Sequence, residues 1–223
     1  MGPEKGIGYT FHVPAPCKEE AKVVYADDDI VLVDKPPGLL SVPGRILKDS
    51  VFQRLLYEFP DLSVVHRLDL DTSGLMVFAN SRTAVTKLNQ QFRERSITKT
   101  YEALVFGTVS EHSGRIELPI APDQKNRPLG RVDFEIGKQS LTFFELIKAG
   151  ETSSRLRLKP ITGRTHQLRI HLMAIGHPIL GCDLYAHPSA FSASDRLCLH
   201  AKSLVLEHPS SKKKVEFYSQ VPF

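Results

Sequence analysis

Short apolar runs separated by polar turns dominate the chain, and their lengths suit β-strands better than helices. The runs at 23–25 and 30–33 flank three consecutive aspartates, which predicts a β-hairpin with an acidic turn. Helical spacing occurs at 51–59, where Ser50 can cap the first turn, at 82–95, and at 165–175, which Gly176 ends. Further strands are predicted at 101–106, 114–118, 131–135, 141–147, 154–158, 197–206 and 214–218.

Strands outnumber helices in this pattern, and hairpins outnumber βαβ units. We therefore expect an α+β fold with a largely antiparallel mixed β-sheet, flanked by a few helices and loops. The 223 residues suffice for one large domain with a sizeable core. Residues 1–22 are polar and contain prolines, so we expect an N-terminal arm that lies over a single domain at 23–223.

The composition adds a mild basic bias. Lys and Arg number 29 against 25 Asp and Glu, and the net charge of +4 is compatible with RNA or another polyanion. The three cysteines include no CxxC pair, which argues against a disulfide framework or a zinc site and favours the reducing cytoplasm. No run approaches the roughly 18 apolar residues of a membrane span, so we expect no membrane association.

Residues 66–74 read His-Arg-Leu-Asp-Leu-Asp-Thr-Ser-Gly and lie between two apolar runs. Strands do not usually bury such side chains unless they are paired or functional. Asp69 has two interpretations: a carboxylate that shapes a turn together with the following hydroxyls, or a nucleophile or base. In the second case, Arg67 and Arg169 are candidate counter-ions that would keep Asp69 ionised near neutral pH.

A second polar segment, residues 159–171, carries a glycine loop into a predicted helix. Arg164 just before the helix favours an anion such as phosphate, although an ordinary capped helix with surface bases has the same pattern. Arg169 lies on the helix face that includes Leu172, so we expect it to point inward and to pair with a carboxylate. Asp69 is the candidate partner.

A third segment, residues 93–101, brings Arg93, Arg95 and Lys99 to the start of a strand at Tyr101. The tyrosine ring either packs in the core or stacks on a nucleic-acid base. In the second case the three cations would contact the nucleic-acid backbone.

Taken together, these segments resemble the RluA-type pseudouridine synthases. Residues 66–74 resemble the family signature, 35–38 its first motif, 99–101 its basic-tyrosine strand entry, 163–169 its third motif and 199–201 its late leucine strand. The motifs follow the family's order over about 35–201. Asp71 departs from the commonest family residue at its position, and we expect it to face away from Asp69. We expect no S4-like RNA-binding module on the N-terminal side.

The resemblance implies an isomerase that converts uridine in structured RNA to pseudouridine, in a central active-site cleft and without metal or cofactor. Asp69 would be the catalytic carboxylate, with attack on the sugar carbon and abstraction of a sugar proton both open as its role. Tyr101 would stack on the flipped uracil, and Arg169 would pair with Asp69. The substrate-binding residues would be Arg67, Leu199, Arg164 and His66.

The implied partners are stem-loops of tRNA, 23S rRNA or both, because an unpaired uridine is cheaper to flip than a paired one by about a few kcal/mol. We expect a cytoplasmic monomer. Two alternatives stay open at this point. A glycoside hydrolase would use Asp69 and Asp71 and release free uracil. An RNA-binding or chaperone module would bind RNA without any chemistry.

Overall fold

A computed structural model describes residues 16–223. The strands are β1 (Lys22–Ala26), β2 (Ile30–Lys35), β3 (Ser63–Val64), β4 (Ser73–Ala79), β5 (Thr98–Phe106), β6 (Ser113–Glu117), β7 (Ile120–Pro122), β8 (Gly130–Val132), β9 (Leu141–Ala149), β10 (Ser153–Pro160), β11 (Leu199–Glu207) and β12 (Lys214–Tyr218). The helices are α1 (Val51–Leu55), α2 (Arg82–Glu94), α3 (Gln167–Ala174) and α4 (Pro188–Phe191).

One large sheet of ten strands organises the domain. Its strands follow the order β1-β2-β4-β11-β5-β10-β9-β6, with β12 paired to β11 and β3 paired to β4, while β7 and β8 form a separate pair. Within the described part of the chain, β4 and β11 run parallel and the other ladders are antiparallel. The predicted α+β fold with a largely antiparallel mixed sheet is confirmed.

The helices cover the sheet through their apolar faces. Helix α2 begins as predicted, because the Ser81 side chain accepts a hydrogen bond from the Ala84 N–H at 3.1 Å. Its Leu88 packs in one core cluster with residues of β2, β4 and β11. Val51 of α1 belongs to a second cluster, with other side chains of β2 and β4. Leu172 of α3 packs in a third cluster with β5 and β10, and so supports the other half of the sheet.

Four elements differ from the sequence-based expectation. Helix α1 ends at Leu55 rather than at 59, and residues 56–58 form a turn in which the Leu55 carbonyl accepts from the N–H groups of both Glu58 and Phe59. Strand β8 covers only the start of the predicted 131–135, because the Asp133 carboxylate accepts from the N–H groups of Glu135 and Ile136 and bends the chain. Strand β7 and helix α4 were not predicted, since three and four residues carry too little periodicity.

The predicted N-terminal arm, 1–22, falls mostly outside the described residues. Its last residue, Lys22, already begins β1. Between 16 and 21 the backbone lies against α1, where Arg54 donates to the carbonyls of Cys17 and Glu19 at 2.6 Å each. No helix within 16–223 is both long and apolar enough to cross a membrane.

Candidate active site

A cavity of about 530 Å³ opens beside the paired starts of β4 and β11. Its walls are the loop before β4, the end of α2, the start of β5 and the loop that enters α3. The structure brings all the sequence-predicted site residues together in its lining: Asp69, Tyr101, Arg169, Arg67, Leu199, Arg164 and His66. Residues far apart in the chain therefore meet in one concave site, as expected for a binding or catalytic pocket.

The backbone on both sides of Asp69 is held by two side chains, one from the end of β2 and one from the segment that follows it. The Ser41 hydroxyl accepts from the Leu68 N–H at 3.0 Å and donates to the Leu68 carbonyl at 2.7 Å. The Lys35 ammonium group donates to the Leu70 carbonyl at 2.7 Å and to two carbonyls of its own loop. The backbone of Leu68 and of Leu70 is thus fixed, and this fixes the position from which the Asp69 side chain extends.

Gly74 lets the two parallel strands approach at the edge of the cavity. Its φ is +108°, and a Cβ atom there would lie 2.3 Å from the Ala201 carbonyl oxygen. An L side chain meets both a backbone penalty and a steric clash at this position. The glycine therefore brings the Asp69 loop close to Leu199, which is 3% exposed and also lines the cavity.

The Asp69 side chain is 21% exposed, and its Oδ1 lies 4.0 Å from His166 Nε2. His166 has a left-handed backbone conformation with φ of 55°, and its Nδ1 is 2.7 Å from the Tyr185 hydroxyl. That hydroxyl accepts from the Gly130 N–H at 2.9 Å and is free to donate to Nδ1, which leaves the proton of a neutral ring on Nε2. Burial lowers the pKa of His166, and the Asp69 carboxylate opposes this shift.

Arg169 is buried, as predicted, but its direct partner differs from the predicted one. Its guanidinium forms an ion pair with Asp183, and its Nε donates to the Cys182 sulfur at 3.3 Å. Among the described residues no ion pair within 4.0 Å joins Arg169 to Asp69, so the predicted direct pair is wrong. Asp183, in the segment after α3, is the carboxylate that binds the guanidinium directly. Burial acts to lower the pKa of Arg169, but Cys182, Asp183 and Asp69 outweigh burial and raise it.

Tyr101 lies on β5, where its register partner in β11 is Ala201. Its ring contacts the apolar core and also lines the cavity, so the two sequence-based interpretations are compatible. Burial raises the pKa of the Tyr101 hydroxyl, and the nearby Asp69 carboxylate raises it further. The hydroxyl therefore stays protonated beside the carboxylate.

Cationic side chains surround the single carboxylate of the lining. They are Arg67, Arg93, Arg95, Lys99, Arg164 and Arg169. Two of them, Arg93 and Arg95, lie at the C-terminal end of α2, where the helix dipole favours positive charge. Burial lowers the pKa of Lys99, and Arg95 adds to this effect. The Nε of Arg164 is buried and has no hydrogen-bond partner within 16–223. The site as a whole favours a polyanion.

His66 fits the interpretation of a residue that orients the loop. Its Nε2 accepts from the Val77 N–H at 3.0 Å, and its ring lies 4.8 Å from the Phe92 ring. Burial lowers the pKa of His66 to about 3, with a smaller contribution from Lys99. The ring is therefore neutral and anchors the segment before Asp69 to β4.

Sequence reasoning missed several polar residues that build the site. Lys35 was noticed as part of a motif, but not as the group that holds the loop of Asp69 from 35 positions away. Ser41, His166, Tyr185 and Asp183 were not selected either. The available signal for Lys35 was a lysine at the end of a mostly apolar strand, a position where a buried charge needs partners. The other contacts join distant segments, and local patterns carry no signal for them.

Three comparisons with known proteins agree with this geometry. The sequence profile of the RNA pseudouridylate synthase family matches residues 29–174. The dual-specificity RNA pseudouridine synthase RluA of Haemophilus influenzae is 43% identical over 211 residues, which are 93% of this chain and 96% of that protein. RluA of Escherichia coli K12 is 45% identical over 204 residues, 90% of this chain and 93% of that protein. The structure of human RNA pseudouridylate synthase domain containing 1 superposes with a TM-score of 0.80 at 30% identity, covering 95% of this chain and 87% of that one.

The chain therefore belongs to the RNA pseudouridylate synthase family and is an enzyme that isomerises uridine to pseudouridine in RNA. Within that family it is an RluA-type synthase, as its motifs predicted. Family membership does not favour the two alternatives, a glycoside hydrolase and an RNA-binding module without chemistry.

Proposed function

We propose that Asp69 is the catalytic carboxylate of this synthase. One observation carries the assignment: Asp69 is the single carboxylate in a cavity whose lining holds six cationic side chains. The isomerisation breaks the bond between N1 of uracil and C1′ of ribose and joins C5 to C1′. The proton on C5 leaves to solvent, and N1 takes up a proton, so that the product is an isomer of uridine. An ionised carboxylate close to the sugar serves either as the nucleophile at C1′ or as the base for a sugar proton.

The roles of the neighbouring residues follow from their places in the lining. Tyr101 stacks on the extruded uracil, and Leu199 forms an apolar floor beneath it. Arg169 is held by Asp183 and supports the charge of Asp69 through space rather than through a direct bond. His166 carries its proton on Nε2 and directs this N–H toward Oδ1 of Asp69, at 4.0 Å.

The remaining cations bind the RNA. Arg67 is exposed at the mouth of the cavity and occupies the gap that the flipped nucleotide leaves in the stack. Arg164, Arg93, Arg95 and Lys99 contact phosphates on either side of that nucleotide. Their salt-dependent contribution supplies most of the binding energy, and base contacts supply the choice of uridine.

The substrate class that we propose is a stem-loop, in both tRNA and 23S rRNA. Support comes from the name dual-specificity RNA pseudouridine synthase, which the bacterial relatives carry, and from coverage of nearly their whole length. Loop uridines also suit the site energetically, because an unpaired base costs less to extrude than a paired one. The enzyme acts in the cytoplasm as a monomer and requires no cofactor.

The assignment of Asp69 is tested with Asp69→Asn, which keeps the shape of the side chain and removes its charge. An anticodon stem-loop that contains 5-tritiated uridine releases tritium when C5 is joined to the sugar. We expect tritium release to fall below detection, while the Kd for the RNA stays within about tenfold, or about 1.4 kcal/mol.

The control is Asp61→Asn, an exposed aspartate on the connection that leads to β3. We expect its turnover to match the wild type. Turnover by Asp69→Asn at the wild-type rate would refute the assignment. Release of free uracil by the wild-type protein would instead indicate hydrolysis.

A further inference from the structure

A continuous line of hydrogen bonds, buried at its centre and partly buried at its two ends, has no part in the roles described above. Arg196 donates to the Ser73 hydroxyl at 2.6 Å, and Ser73 lies 2.9 Å from Nδ1 of His200. On the other side of the ring, Nε2 of His200 lies 2.9 Å from the Ser219 hydroxyl, and Ser219 donates to the Asp34 carboxylate. The line joins a cation to an anion through three uncharged side chains.

The direction of every bond in this line can be derived from its anionic end. A carboxylate oxygen only accepts, so the single proton of the Ser219 hydroxyl goes to Asp34. The hydroxyl must then accept from Nε2 of His200, which places the proton of the neutral ring on Nε2. Nδ1 is left as an acceptor and accepts a hydrogen bond from the Ser73 hydroxyl. The Ser73 oxygen in turn accepts from Arg196. Burial lowers the pKa of His200 to about 4, which agrees with a neutral ring.

The line connects two neighbouring strands, and a residue at the start of each lines the cavity or adjoins one that does. Ser73 begins β4 and directly follows Thr72, which lines the cavity three residues after Asp69. His200 directly follows Leu199, the floor of the cavity, and is the parallel register partner of Ser73. A change in the hydrogen bonding of His200 therefore affects the positions of Thr72 and Leu199 together.

The far end of the line lies in the C-terminal segment of the chain. Ser219 is just beyond β12, and its backbone N–H donates to the Lys202 carbonyl of β11 at 2.8 Å. The ring of Phe223 has Arg196 on it at 5.6 Å and Arg155 at 5.5 Å. Residues 219–223 thus contact the line at Ser219 and again at Arg196, although none of them lines the cavity.

We propose that His200 and Ser219 are positioning residues for the isomerisation. The line Arg196–Ser73–His200–Ser219–Asp34 fixes His200 as the Nε2–H tautomer and sets the spacing between the Asp69 loop and Leu199. The C-terminal segment is therefore part of the catalytic apparatus, without touching the substrate. This inference rests on the proposed role of Asp69.

The test removes one link far from the substrate. In Ser219→Ala, Nε2 of His200 loses its acceptor, and we expect kcat to fall about tenfold while KM for the stem-loop stays within about twofold. Ser219→Thr keeps the hydroxyl and should retain kcat within about twofold. The matched control is Ser203→Ala on β11, because Ser203 and Ser219 are both 8% exposed and Ser203 has no side-chain hydrogen bond within 16–223. Its kcat and KM should equal those of the wild type.

A second measurement does not depend on the folding of any variant. Protonated and unprotonated imidazole nitrogens give separate ¹⁵N resonances, and in the wild-type enzyme at pH 7 we expect His200 to carry its proton on Nε2 alone. A proton on Nδ1 would overturn the inference. So would a fully folded Ser219→Ala with kcat within twofold of the wild type, or a loss of rate that only follows its unfolded fraction by circular dichroism. The role of Asp69 is judged separately, since full activity of Asp69→Asn would remove the proposed function whatever Ser219 does.

Discussion

At the scale of single residues, Lys35 has the least expected environment. Its side chain is fully buried, yet its Nζ lies within 2.8 Å of three carbonyl oxygens, those of Pro36, Leu39 and Leu70. Burial lowers the pKa of Lys35 to about 7, and Asp71 and Asp69 act in the opposite direction. An ammonium group has three donors and satisfies all three carbonyls, whereas a neutral amine has only two. The bonding therefore favours the charged form near neutral pH.

We predict that Lys35→Met lowers both stability and activity. Methionine has a similar length and no donor, so the carbonyls of Pro36 and Leu39 lose the lysine as their partner, each at about 1–3 kcal/mol. The Leu70 carbonyl keeps only its second hydrogen bond, from the Gly38 N–H at 3.0 Å. The free energy of unfolding, measured with urea, should fall by several kcal/mol. Because Leu70, next to Asp69, is then held by one hydrogen bond instead of two, kcat at a temperature where the variant is folded should fall by about tenfold or more.

Lys22→Met supplies the comparison, since Lys22 is exposed on β1. It should change the free energy of unfolding by about 0.5 kcal/mol or less. Equal effects of the two substitutions would mean that the three carbonyl bonds of Lys35 contribute nothing specific.

At the scale of elements, the short parallel contact between β4 and β11 decides where the site forms. It joins two register pairs, His200 with Ser73 and Ala201 with Gly74, in an otherwise antiparallel neighbourhood. The signature segment and the late leucine strand are separated by more than 120 positions, and this contact puts Asp69 and Leu199 in one cavity. A residue with a side chain at Gly74 would push the strands apart.

We predict that Gly74→Ala destabilises the protein far more than Gly176→Ala. Both glycines have positive φ, +108° and +85°, and so both variants pay a backbone strain of about 1–3 kcal/mol. Only Gly74 adds a clash, with the Ala201 carbonyl oxygen at 2.3 Å, while Gly176 has open space around it. Urea unfolding followed by circular dichroism should give a difference of at least about 2 kcal/mol between them, or no folded Gly74→Ala at all. Similar stability of the two variants would show that β4 and β11 can move apart with no loss in the free energy of unfolding.

At the scale of the whole molecule, the sequence was informative wherever structure follows from local pattern. The hairpin of β1 and β2, the Ser50 cap of α1 and the inward direction of Arg169 all follow from spacing along one element. The identity of the partner of Arg169 did not follow. Asp69 and Asp183 are both plausible carboxylates, and the choice between them depends on how the turn after α3 packs. The order of the strands in the sheet was equally beyond local pattern, because each ladder joins distant segments.

Two buried histidines give the whole domain a shared sensitivity to acid. The pKa is lowered by burial to about 3 for His66 and to about 4 for His200, against 6.5 in the unfolded chain. Below pH 6.5 the unfolded chain therefore binds more protons than the folded one. The stability that the two neutral rings allow is fully present above pH 6.5 and is lost as the pH falls toward 3–4. Protonated His66 would also point an N–H at the Val77 N–H, where the neutral ring now accepts.

We predict that the free energy of unfolding falls between pH 6 and pH 4.5 with a slope of up to about 1.4 kcal/mol per pH unit for each ring. His66→Gln keeps an oxygen acceptor for Val77 but does not titrate, so it should remove up to half of that slope while costing some stability at pH 7. Urea titrations at pH 7, 6, 5 and 4.5 measure both quantities. His112→Gln, on an exposed position before β6, should leave the slope as it is in the wild type. If His66→Gln also retained the full slope, the acid sensitivity would have to arise in His200 or in carboxylates that lose their partners, and not in His66.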